Sequence, residues 1–101
     1  GLGVSCASTR GGGGLAKEGA IDAARVGSRV SALCPGVVEN WRGDGLGDGA
    51  QNFRESLLAL KPMGRLGAPS EAAEAAIWLA SPAASFVTGH ALAVDGGYVS
   101  Q

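Results

Sequence analysis

Few side chains in this sequence have the chemistry of a catalytic nucleophile, acid or base. His90 is the only histidine, and together with Asp95 and one serine it could form a hydrolytic triad. The serine would be Ser8 or Ser85. Because His90 and Asp95 are five residues apart on one predicted strand, they should point to opposite faces. The spacing therefore favours a histidine at a strand end, and ester hydrolysis stays an alternative.

Glycine-rich segments are a second candidate for chemistry, because such loops hold phosphate groups in nucleotide-binding proteins. Among the 18 glycines, residues 11–16 and residues 45–50 have the loose spacing G-x-G-x-x-A. Neither stretch follows a predicted strand, as a dinucleotide-binding motif must. Lys17 is followed by Glu18, where a P-loop requires serine or threonine. Both stretches are better interpreted as flexible loops.

Metal ligands and disulfides have little support in the sequence. Cys6 and Cys34 are the only cysteines, and they lie in no C-x-x-C or Cys/His spacing. Asp44 and Asp48 lie among glycines, but the alternating acidic ligands and closing glutamate of a calcium loop are missing. We therefore expect no metal site and two free thiols.

Charge and length limit the partners of the chain. Eight basic and nine acidic residues give a net charge of −1, and neither sign forms a run, so we expect no nucleic-acid or membrane partner. The amino terminus lacks a signal pattern, and the apolar stretches are too short to span a membrane, which favours a cytoplasmic protein. A chain of 101 residues suits a single domain, residues 1–101, whose small core favours a homo-oligomer.

The spacing of apolar residues predicts the elements that would position these groups. Helices are predicted at Leu15–Val26, Ala50–Leu60 and Pro69–Ala80. Strands are predicted at Arg29–Cys34 and Ala91–Asp95. The first helix has a predicted apolar face of Leu15, Ala16, Gly19, Ala20, Ala23 and Val26. The glycines at 11–14 should weaken any extension of this helix toward Ser5, since each disfavours a helix by about 1 kcal/mol relative to alanine. A strand, a helical crossover and a second strand predict an α/β fold with parallel neighbouring strands.

Three segments resemble the short-chain dehydrogenase/reductase family. They are CPGVVEN at 34–40, PMGRLGAPSE at 62–71 and SFVTGHALAVDGGY at 85–98, in the order and spacing of the last third of that family. The resemblance extends from roughly Gly3 to Gln101. It implies a partial Rossmann-like fold, the carboxyl-terminal β-α-β remnant of a doubly wound parallel sheet, truncated and completed by self-association.

The resemblance also implies a cofactor site. The turn formed by Pro35, Gly36, Val37 and Val38 would bring its backbone to the nicotinamide carboxamide of NAD or NADP, with binding weak or lost. Asn40 stands where the family often has threonine and could still donate to a carboxamide or phosphate. This placement agrees with the general position of ligands outside the carboxyl ends of the strands in open α/β sheets.

The catalytic pair of the family is absent from the matching stretch. In the family, the tyrosine of a Tyr-x-x-x-Lys pattern hands a proton to the substrate carbonyl, while the lysine lowers the tyrosine pKa and holds the cofactor ribose. Here those positions are Ser5 and Thr9. Serine lacks the accessible ionisation of a tyrosine, and threonine carries no charge. We therefore expect no catalytic residue in this chain.

The resemblance implies an NAD(P)-dependent oxidoreductase remnant that supplies the nicotinamide-side turn and the substrate loop, with little or no activity alone. Its other partner would be a small-molecule substrate. Two alternatives remain. One is a non-catalytic oligomerisation module that uses the last strand and the helix from Pro69, and the other is esterase-like hydrolysis through His90.

Overall fold

The computed structural model describes residues 2–39 and 49–100. Within these ranges the chain forms α1, β1, α2, α3 and β2 in order, with bounds Leu2–Ala24, Ala32–Pro35, Gly49–Ala59, Pro69–Ala80 and Ala91–Val94. Short 3₁₀ helices follow α3 and β2. None of the helices in the described ranges is long and apolar enough to cross a membrane.

The backbone separates into two compact units. The first unit combines the segment that ends at Cys34 with Ala75–Leu92, and the second combines Pro35–Glu74 with the segment that begins at Ala93. α1 belongs wholly to the first unit and α2 to the second.

The two strands are neighbours in one sheet, as the sequence predicts. The amide of Ala32 donates to the carbonyl of His90 at 2.8 Å, and the amide of Gly36 donates to the carbonyl of Val94 at 2.9 Å. Both bonds have the same offset along the chain, as in a parallel ladder. The α/β prediction with a small parallel sheet is therefore confirmed.

The predicted strand at Arg29–Cys34 is shifted, because β1 begins at Ala32 and ends at Pro35. The backbone just before β1 has other partners. The amide of Val30 donates to the hydroxyl of Thr88, and the carbonyl of Val30 accepts from the amide of Gly89. The end of α3 matches its prediction, and β2 ends one residue before the predicted Asp95.

The first helix is longer than the sequence predicts, since α1 continues through the glycines at 11–14. Small residues permit close packing in this unit. A Cβ at Gly13 would lie 3.9 Å from the Cβ of Ala91, and one at Gly19 would lie 3.5 Å from a methyl group of Val30. Such packing favours a helix that intrinsic propensity disfavours.

The buried face of α1 is narrower than predicted. Ala16 and Ala20 are each 5% exposed, whereas Leu15 and Val26 are 75% and 79% exposed. The prediction is therefore right for the small residues in the middle of the face and wrong for its two large ends. Ile21, which is not part of that predicted face, is exposed.

Arg29 links the segment before β1 to the end of α3 within the first unit. Its guanidinium donates to the carbonyl oxygens of Leu79, Val87 and Ser81 at 2.8, 3.1 and 3.2 Å. The last carbonyls of a helix lack partners within the helix, so a cation placed there satisfies them. Arg29 thereby holds together segments that are far apart in the sequence.

Candidate functional site

The predicted cofactor turn lies in the second unit, directly after β1. Pro35 is the exposed last residue of β1, and Gly36 continues the pairing with Val94. A Cβ added at Gly36 would lie 2.7 Å from the Cα of Asp95 and 2.9 Å from the Nζ of Lys61. Only glycine fits at this position without moving the backbone of the neighbouring strand.

After Gly36 the chain pairs with a second segment, around Gly67. Val38 and Gly67 form an isolated parallel bridge. The amide of Gly67 donates to the carbonyl of Val37 at 3.1 Å, and the amide of Glu39 donates to the carbonyl of Gly67 at 2.8 Å. The turn is therefore fixed along one side by two backbone hydrogen bonds.

The bridge determines where the peptide groups of Val38 point. In extended backbone the N–H and C=O of one residue lie on the same side, and those of its neighbours lie on the other. Since the carbonyl of Val37 and the amide of Glu39 point toward Gly67, the N–H and C=O of Val38 point away from it. Within the described residues, no hydrogen bond from the Val38 amide accompanies the bridge. Val38 thus presents a donor and an acceptor side by side.

Lys61 lies behind this turn and is only 7% exposed. Its ammonium group donates to the carbonyl of Val37 at 3.3 Å and to the carbonyl of Asp95 at 3.5 Å. The second carbonyl belongs to the segment that leaves β2. Lys61 therefore connects the turn after β1 to the exit of β2.

The exit of β2 is held by the carboxylate of Asp95. Its oxygens accept from the amides of Gly97 and Val99 at 2.9 and 3.1 Å. Gly97 has φ of +88°, a conformation that side chains other than glycine rarely adopt, and a Cβ there would lie 3.1 Å from Pro62. The Gly-Gly segment therefore forms a hydrogen-bonded turn, and the carboxylate of Asp95 caps the amides of this turn.

A groove of about 410 Å³ opens beside the turn, also within the second unit. Its lining includes Val37, Val38, Lys61, Met63, Ala93 and Val99. Apolar walls with a few polar groups are typical of small-molecule sites.

An ion pair stands at the rim of the groove. Arg65 donates to both carboxylate oxygens of Glu71 at 2.8 and 2.7 Å, and the amide of Ala68 donates to Glu71 at 2.8 Å. The hydrogen bond from Arg65, followed by that from Ala68, lowers the pKa of Glu71 to about 2. The bond to Ala68 lies at the start of α3, where a glutamate in the first turn caps the free amides.

The remaining predicted residues are placed as follows. Asn40, Asp44 and Asp48 lie outside the described residues. The backbone of Ser5 and Thr9 lies in α1. The hydrolytic alternative gains no support, since the carboxylate of Asp95 is bonded to two amides of its own turn. The assignment of Pro35, Gly36, Val37 and Val38 to a cofactor stays a prediction.

The sequence reasoning missed Lys61. It stands between the end of α2 and Pro62, where a charged residue suggests an exposed loop. Its apolar predecessors at 57–60 could have suggested that the segment enters a packed region. No feature of the sequence predicts that the ammonium group reaches two carbonyls.

Comparisons with known proteins match the chain to one family. The family model described as enoyl-(acyl carrier protein) reductase matches residues 3–99. The chain is 54% identical over 72 residues to a galactitol 2-dehydrogenase (L-tagatose-forming) from Cereibacter sphaeroides. The aligned region covers 71% of the chain and 28% of that enzyme.

Solved structures give the same assignment. A short-chain dehydrogenase family protein from Francisella tularensis matches with a TM-score of 0.77 and 29% identity, over 88% of the chain and 40% of that protein. ElxO with NADP bound matches with a TM-score of 0.78 and 32% identity, over 88% of the chain and 36% of that protein. The chain spans about a third of the length of the curated relatives that it matches. From its sequence and its fold, the chain belongs to the short-chain dehydrogenase/reductase family and corresponds to the carboxyl-terminal part of it.

Proposed function

We propose that this chain supplies the nicotinamide-binding turn of an NAD(P)-dependent oxidoreductase that acts on a small molecule. One observation carries the proposal: the N–H and C=O of Val38 point away from Gly67 and lie side by side at the carboxyl end of β1. Ligands of open α/β sheets bind at this end of the strands.

A carboxamide fits this pair of groups. It carries a carbonyl acceptor and an NH₂ donor next to each other, so that it can form two hydrogen bonds with the backbone of a single residue. A nicotinamide ring held in this way would have a fixed orientation. The bound cofactor would supply or accept a hydride, and the chain would determine which face of the ring is presented.

The turn is rigid enough for this role. Gly67 and Lys61 hold the carbonyl of Val37, and Gly36 packs directly against the backbone of Asp95. A site fixed in advance loses little conformational freedom when its ligand binds. ElxO, a structural neighbour, has NADP bound, which supports a nicotinamide cofactor.

The chain alone should bind a cofactor without turning it over. Proton transfer to a carbonyl requires an acid whose pKa can be brought near neutrality. The family positions for that acid and its lysine hold Ser5 and Thr9. We therefore place cofactor binding in this chain and propose little or no catalysis by it alone.

A titration of the 101-residue chain with NADH and with NADPH tests the proposal. We expect saturable binding at millimolar cofactor. The binding is monitored by energy transfer from the two tryptophans to the reduced nicotinamide. Val38→Pro removes the N–H donor and should weaken binding by roughly tenfold, in line with one lost hydrogen bond. Val38→Ala keeps the donor and serves as the matched control. Absence of saturable binding by the unmodified chain would contradict the proposal.

A second role in assembly is favoured by exposed apolar side chains in the first unit. Phe86 is 103% exposed, and Leu15, Ile21 and Ile77 are 75%, 63% and 61% exposed. Exposed apolar groups of this number favour association with another surface. Light scattering should give a mass above that of one chain, and a stable dilute monomer would contradict this role.

A further inference from the structure

The positive charge of Lys61, in the second unit, has no role in the site as described so far. It is buried, and among the residues at 2–39 and 49–100 it forms no ion pair. The other charged side chains of the groove lining are occupied: Arg65 pairs with Glu71, and Asp95 accepts from two amides. A buried ammonium group without a carboxylate is unfavourable unless its surroundings compensate for the lost water.

The two carbonyl groups supply part of that compensation. The oxygens of Val37 and Asp95 are both hydrogen-bond acceptors of Nζ, at 3.3 and 3.5 Å. They are neutral groups, and the carboxylate of Asp95 bonds to amides of its own turn and not to Nζ, so the ammonium charge adds its own positive potential at the turn. The ammonium group contacts the carbonyl of Val37, which is the residue before Val38. The N–H and C=O of Val38 form the proposed carboxamide site.

We propose that Lys61 makes the nicotinamide site select the reduced cofactor over the oxidised one. The oxidised nicotinamide ring carries a positive charge and the reduced ring is neutral. A fixed positive charge behind the turn repels the first and leaves the second unaffected. The inference rests on the proposed function, because it requires that the ring bind at Val38.

The size of the effect follows from the separation of the two charges. One residue along an extended chain and one hydrogen bond place the ring within about 10 Å of Nζ. Two unit charges at that distance change an affinity roughly fourfold when the effective dielectric constant is taken as about 40, between about 20 near a protein surface and about 80 in water. In this proposal Lys61 acts on the ring through its charge, from the side of the turn that faces Val37 and Asp95.

Three variants of the whole chain separate charge from shape. Lys61→Met keeps a long apolar side chain and removes the charge, while Lys61→Arg keeps the charge. Lys17 is the only other lysine and lies exposed on α1, so Lys17→Met is the matched control for loss of one positive charge. The measurement is the ratio of the dissociation constants of oxidised and reduced cofactor, from calorimetric titrations.

The ratio distinguishes selectivity from a structural defect. A loosened turn, or a lower folded fraction, weakens both cofactors by the same factor and leaves the ratio unchanged. We expect Lys61→Met to lower the ratio of the oxidised to the reduced dissociation constant roughly fourfold. Lys61→Arg and Lys17→Met should leave the ratio unchanged.

An unchanged ratio in Lys61→Met, with or without a common loss of affinity, would overturn the inference. So would an equal shift in Lys17→Met. Failure of the proposed function has a different result, because then the unmodified chain binds neither form of the cofactor.

Discussion

Gly36 and Asp95 approach so closely that a Cβ on Gly36 would stand 2.7 Å from the Cα of Asp95. The contact joins the turn after β1 to the segment that leaves β2. Both segments contribute to the groove region, so this close approach determines the shape of the candidate site.

Gly36→Ala should therefore destabilise the chain and distort the turn. Overpacking against backbone that cannot easily move typically lowers the free energy of unfolding by about 1–3 kcal/mol. Denaturant unfolding followed by circular dichroism gives the change. Gly14→Ala is the control, because a Cβ at Gly14 meets nothing within 4 Å. That control should raise stability by up to about 1 kcal/mol, and a Gly36→Ala variant as stable as the original chain would show that the turn is not tightly packed.

Removing the guanidinium of Arg29 should destabilise the first unit. Arg29→Met leaves three carbonyl oxygens without their charged donor, which should lower the free energy of unfolding by about 2–3 kcal/mol. The same denaturant experiment measures the loss. Arg25→Met is the matched control, since Arg25 is exposed in the turn after α1, and its removal should have little effect. Equal effects of the two substitutions would refute the proposed capping role.

Acid should remove a contribution to stability that comes from Glu71. Its pKa in the folded chain is about 2, below the ordinary value of 4.5, so the carboxylate is stabilised by folding. A lowered folded pKa gives stability that is present above the unfolded pKa and is lost as the pH falls toward the folded pKa. The loss should therefore occur between about pH 4.5 and pH 2.

Thermal midpoints measured across this range test the assignment. Glu71→Gln should flatten the dependence on pH, whereas Glu74→Gln, an exposed glutamate on the same helix, should not. Because the ion pair is exposed, added salt should reduce the difference. A Glu71→Gln variant with the pH profile of the unmodified chain would contradict the assigned pKa.

The chain alone should show no reduction of carbonyl compounds. The family resemblance implies that Ser5 and Thr9 take the positions of the proton donor and its lysine, and neither side chain has the chemistry of the residue it would replace. NADH oxidation in the presence of a panel of ketones should not exceed the rate in buffer. A rate that exceeds it and falls in Val38→Pro would show that another residue donates the proton.

Much of the fold was predictable from the sequence, because residues that mark the ends of helices and strands are frequent in it. Pro69 and Glu71 marked the start of α3, and the apolar run before Asp95 marked β2. The family resemblance rested on the same segments and is confirmed by the family model over residues 3–99. Tertiary packing determined what the pattern could not. α1 runs through glycines that oppose a helix, because small residues there allow close contacts such as that between Gly13 and Ala91.

The candidate site was predictable only in part. The family resemblance implied the turn at Pro35–Val38, but the direction of its peptide groups depends on the bridge to Gly67, which is distant in the sequence. Burial of Lys61 depends likewise on two carbonyls from separate segments. Hydrogen bonds between distant segments leave no periodic signal in the sequence.

Binding of the nicotinamide at Val38 is tested by an ¹⁵N–¹H correlation spectrum of the chain during titration with NADH. We expect the amide signal of Val38 to shift most, in a saturable way, because that amide would donate to the carboxamide. The amide of Gly67, which is already bonded to Val37, should shift less. Saturable shifts that leave Val38 unchanged would contradict the claim that this turn holds the nicotinamide.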